Sequence, residues 1–169
     1  MSIRRTILLG LFVAVAGILH AVEYWVPIPL PVPGLKLGLA NIVNLVVIVL
    51  FGWRDALVVA LLRAVLGGVL SGMFLGPTFV MSASGAMVST MAMALSYSFF
   101  RPKLSLVGIS VIGAVVHNLS QLCVAAVVVV SSGILWYSPY LVLIAVPTGI
   151  ITGFSTAYFL EKFPQTAIL

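Results

Sequence analysis

"NIVNLVVIVLFG", residues 41–52, decides how the chain is built. Apart from its two asparagines it is an unbroken apolar run, and apolar residues do not alternate with polar ones. A strand of a membrane barrel would alternate over about ten residues. "AAVVVV", residues 125–130, is equally continuous. In lipid a backbone must satisfy its own hydrogen bonds, so spans are helices or closed barrels, and these runs read as helices. Their richness in Val and Ile is no obstacle, because context overrides propensities measured in water.

The rest of the chain places that helix in a bilayer. Of 169 residues, 63% are hydrophobic and only 7% charged, with a mean hydropathy of +1.31. A soluble domain carries roughly 25% charged residues, so too few exist here to coat a surface facing water. A secreted protein with a cleaved signal fits poorly: the first apolar run, 6–26, exceeds the roughly 7–15 residues of a signal core, and apolar runs continue to the end. The net charge of +5 would suggest nucleic acid in a soluble protein. Here it reads as the Lys and Arg excess of cytoplasmic loops. The single cysteine, Cys123, reads as a small buried hydrophobe.

Six spans follow, at about 6–26, 36–52, 55–72, 78–100, 104–131 and 139–160, forming one all-α membrane domain over residues 1–169. Each needs about 20 residues to cross a core of about 30 Å, so the second and third are short. With the N-terminus inside, Arg4, Arg5, Arg54, Arg101, Lys103 and Lys162 all fall on the cytoplasmic side, and Lys36 alone falls outside. That distribution predicts both termini inside. The outer connections carry more residues than the tight inner turns "GWRD" and "RPK". Pro27, Pro29, Pro31 and Pro33 alternate in the first of them. Each proline locks φ near −65° and disfavours helix just before it, so residues 27–35 read as an extended strap over the outer mouth.

Polar residues in the spans cluster in the middle and outer half. Counted at about 1.5 Å per residue, His20, Glu23, Asn41, Asn44, His117, Asn118 and Gln121 lie from mid-depth outward, with Arg63 near the midplane. Groups of this kind usually face a cavity or one another. Lys36 could instead snorkel to headgroups, and Asn41 with Asn44 could tie helices together. Glu23, near the interface, reads as solvated or paired with Lys36. Arg63 is the costly one: no Asp or Glu is expected at its depth, so a bound anion or helix-end carbonyls would have to satisfy it. A metal site from His20, His117 and Glu23 would need the first and fifth helices to touch at that depth, and none is expected. Cationic Arg63 and Lys36, with aromatic Tyr24, Trp25, Trp136 and Tyr137 at the outer rim, favour a small anionic ligand with an apolar or ring-shaped body. Gly10, Ala14, Gly17 and Ala21 form a stripe on the first helix that lets another helix approach closely.

"PGLKLGLANIVNLVVIVLFG", "LLRAVLGGVLSG" followed by "PTF", and "GAVVHNLSQL" together resemble the small bacterial membrane proteins called Gx transporters. That family also bears the name heptaprenyl diphosphate synthase component I, and is similar to S components of energy-coupling factor transporters. The resemblance covers about residues 6–161; where its pattern has HNxGQ, Ser120 occupies the glycine position. It implies a six-helix S-component fold in a bacterial cytoplasmic membrane. It further implies an outer-half substrate site under the first loop, and a first-helix stripe that docks a transmembrane coupling subunit driven by two ATPases. ATP would then be used by those partners, with no cofactor on this chain. The motif positions are Lys36, Asn41, Arg63, His117, Asn118 and Gln121. The competing expectation, a prenyl diphosphate synthase component, would be non-catalytic in this chain. Such synthases bridge diphosphate oxygens with Mg²⁺ held by paired aspartates, and Asp55 is the lone Asp here.

Overall fold

A computed structural model describes residues 3–25, 38–101 and 103–163. The expected strap at 27–35 and Lys36 lie outside the described residues. Six α-helices follow in chain order: α1 Ile3–Trp25, α2 Asn41–Phe51, α3 Trp53–Leu70, α4 Pro77–Phe100, α5 Leu106–Val128 and α6 Ser138–Lys162. A 3₁₀ turn, Ser132–Tyr137, leads into α6. No strand occurs among the described residues.

Four of these segments are long and apolar enough to cross a membrane: α1, α4, α5, and α6 with its leading turn. They fit a multi-pass membrane protein. α3 has 18 residues but carries Arg54, Asp55 and Arg63. α2 has 11 residues, about 16 Å of helix, and is too short to span alone.

Gly52 makes the sharp joint between α2 and α3. Its φ of 94° with ψ of 176° is a conformation open essentially to glycine, and it stops α2 while starting α3. Arg5 of α1 then pairs with Asp55 of α3, Nε to carboxylate oxygen at 3.1 Å, which sets the starts of α1 and α3 side by side. Further along, Gly17 faces Leu66 and Gly67 faces His20, so α1 and α3 run parallel.

α4, α5 and α6 pack as an antiparallel layer through small residues. Gly113 receives Met93 across α4 and α5, while Gly149 and Gly153 bring α6 onto the backbone of α5 at Val111 and Val107. Ser110 and Thr152 hydrogen-bond at 2.7 Å in the same contact. α2 is buried along nearly its whole length and packs with α1, α3 and α4 around Leu45, Val47, Ile48, Val59 and Met93. An 11-residue helix can therefore sit inside the bundle, its backbone screened from lipid.

One expectation changes here, and the geometry adds detail to another. Cys123 is exposed, on the outer surface of α5. The small-residue stripe on α1 divides: Gly17 is buried, and a Cβ there would lie 2.6 Å from Leu66, whereas Gly10 has open space around it. The Gly17 portion of the stripe serves packing within the chain.

Candidate polar site at the centre of the bundle

Four helices present polar side chains to one another at one level. Asn41 opens α2, and Arg63 stands about 15 Å along α3, level with it across the Gly52 joint. Arg63 is 1% exposed, and its Nη2 donates to Asn41 Oδ1 at 2.9 Å. Ser89 of α4 points its hydroxyl at the same oxygen, at 3.5 Å, while donating to the Ala86 carbonyl at 3.2 Å. Ser89 also lies 3.5 Å from Nδ1 of His117 on α5. One turn along α5, Gln121 reaches back to His117 Nε2 at 3.0 Å.

Glu23 completes the cluster from α1. It is buried, and its carboxylate accepts the N–H groups of Gly38 and Leu39, the latter at 3.3 Å. Those donors belong to the turn that starts α2, where aligned backbone dipoles favour an anion. Gly38 adopts φ +81°, a left-handed conformation, and a Cβ there would press on Asn41 Nδ2 and the His117 ring. Glu23 is thus buried rather than solvated, while the Lys36 it was expected to pair with lies outside the described residues. It fixes the entry of α2 beside Asn41, and it attracts the Arg63 guanidinium through space. Arg63 is therefore not the unaccompanied charge that depth counting suggested.

The other candidates separate. His20 is buried in the notch left by Gly67 on α3. Asn44 donates to Thr90 Oγ1 at 2.6 Å and ties α2 to α4. Asn118 donates to the Leu141 carbonyl at 3.4 Å and ties α5 to α6. Trp25 and Trp136 are largely exposed. Among the described residues no three of His, Cys, Asp and Glu stand together as metal ligands. Ser89, a link between Asn41 and His117, was not singled out from the sequence. The recurrence of Ser82, Gly85, Ala86 and Ser89 along one face of α4 was the available signal.

The layer is not self-sufficient. Among the described residues, Arg63 Nε and Asn41 Nδ2 are buried donors without an acceptor, and Ser82 Oγ, Asn44 Oδ1 and Asn118 Oδ1 are also unpaired. Leaving a buried polar group unsatisfied costs about 1–3 kcal/mol, more for a charged one. Two such donors on adjoining side chains can hold an oxygen acceptor supplied from outside the chain.

The profile of the family described as heptaprenyl diphosphate synthase component I matches residues 12–159, from the middle of α1 to near the end of α6. The chain belongs to that family. All the polar residues of the central layer fall inside the matched span. No curated protein and no solved structure matches it.

Proposed function

We propose that this protein is the substrate-binding membrane subunit of an ATP-driven importer of the energy-coupling-factor type, taking up a small, anionic molecule. The observation that supports this reading is the pair of buried, unfilled donors, Arg63 Nε and Asn41 Nδ2, in a layer to which five helices contribute. A purely structural layer would gain by satisfying them or by replacing them with apolar side chains. Catalysis is not part of the proposal, since the central layer holds one carboxylate, already committed to the α2 turn.

In this reading α1 to α6 all cross or enter a bacterial cytoplasmic membrane, with both termini inside and the 26–37 connection outside. A single-cysteine series in a Cys123→Ser background tests the arrangement with a thiol reagent that cannot cross membranes. Cysteines at Ser132 or Gly133 should label from outside, and one at Lys103 should not. Outside labelling at 103 would invert the orientation.

The partner face of α1 is the exposed part of its stripe. Ala21 lines an apolar groove of about 530 Å³ with Ile18, Val22, Trp25 and Leu70, and Gly10 lies open on the same helix. A transmembrane coupling subunit, bound to two ATPases, would pack there. Gly10→Leu should abolish co-purification with such a module while leaving the melting temperature unchanged. Gly17→Leu is unsuitable, because it collides with Leu66 inside the chain. Unchanged assembly in Gly10→Leu would remove the docking role. Co-purification with a soluble prenyl synthase subunit instead would favour the alternative, a non-catalytic membrane component associated with such a synthase.

A further inference from the structure

We infer that the ligand of the central layer presents a single carboxylate to Arg63 and Asn41, and that the site rejects diphosphates. The inference rests on the capture reading above and narrows its substrate class.

The donors set the first limit. Arg63 uses Nη2 on Asn41 Oδ1 at 2.9 Å, and its Nε remains unused. Nε and Nη2 share one edge of the guanidinium plane, so an oxygen at Nε sits against the Arg63–Asn41 contact. Asn41 Nδ2, the second unused donor, belongs to the same amide. Two N–H groups flanking one contact suit a planar oxyacid, as forked recognition of carboxylates by Arg does.

Charge sets the second limit. A phosphate group is well held by a helix N-terminus, whose free N–H groups point at it. At the start of α2 that position is filled from within: Glu23 takes the N–H groups of Gly38 and Leu39. The described layer then offers one guanidinium, one carboxylate and the His117 imidazole. A monocarboxylate leaves this layer with a modest net charge. A diphosphate would bring several negative charges beside Glu23, where the described residues of the layer offer one guanidinium, Arg63, to meet them, and like charges in a buried layer repel strongly.

The test uses the full chain purified in detergent, with thermal unfolding as readout at matched ionic strength. The probes are sodium acetate, sodium benzoate and inorganic diphosphate, on wild type, Arg63→Gln and Glu23→Gln. Benzoate, a planar carboxylate with an apolar body, should raise the wild-type melting temperature. Its half-effect concentration should be at least tenfold higher in Arg63→Gln. Diphosphate should leave wild type unmoved and begin to stabilise Glu23→Gln, which keeps the acceptor oxygen and drops the charge. Diphosphate stabilising wild type through Arg63, with the carboxylates inert, would overturn the carboxylate assignment while leaving capture at this layer intact. Equal benzoate responses in wild type and Arg63→Gln would overturn it as well, by showing that the carboxylate acts elsewhere.

Discussion

Arg63→Gln is expected to melt within a few degrees of wild type and to bind the captured molecule at least tenfold more weakly. The binding loss is that of one charge-assisted hydrogen bond, about 1.5–3 kcal/mol, which is tenfold or more in affinity. Two opposing terms hold the stability change small. Burying a guanidinium costs several kcal/mol before its partners are counted, so removing it returns free energy. The bond to Asn41 Oδ1 is weakened, though a glutamine amide can still donate there. The attraction from Glu23 disappears, but that carboxylate keeps the N–H groups of Gly38 and Leu39. Melting temperature and affinity, measured on the one variant, separate the roles. A structural Arg63 would show a large drop in melting temperature with affinity unchanged.

Gly149→Ala should destabilise the chain by about 1–3 kcal/mol, a methyl group forced into a filled interface. The added Cβ would stand 2.5 Å from Val111 Cα and 3.0 Å from Val111 N, and backbone cannot turn aside as a side chain can. α6 would have to move off α5, stretching the Ser110–Thr152 hydrogen bond in the same contact. Gly10→Ala supplies the control, since a Cβ at Gly10 meets nothing within 4 Å. Thermal unfolding of the two variants in the same detergent compares them directly. Equal melting of Gly149→Ala and wild type would show that α5 and α6 are less closely packed than described.

The helices were legible because each apolar run ends at residues that cannot continue it. The exception is the start of α2, expected at 36 and found at Asn41. Gly38 has a positive φ, and the Glu23 carboxylate holds the turn from another helix; neither is visible in a local run. Arg63, Asn41, His117 and Gln121 stood out because polar groups are expensive among apolar ones. Ser89 did not, since a serine can satisfy itself on its own helix, as it does at the Ala86 carbonyl. Asn44 and Asn118 share the polarity of the site residues, but face Thr90 and Leu141 instead. Which face of a helix meets which neighbour is a tertiary fact. For the same reason the small stripe on α1 could not reveal that Gly17 belongs to Leu66.

The central claim is that the layer around Arg63 holds a small molecule. Wild type and Arg63→Gln, purified side by side in mild detergent and then denatured, can be compared by mass spectrometry of what each releases. The account predicts a small carboxylate in near-stoichiometric amount from wild type and its depletion by tenfold or more from Arg63→Gln. The same molecule released in equal amount from both proteins would contradict it.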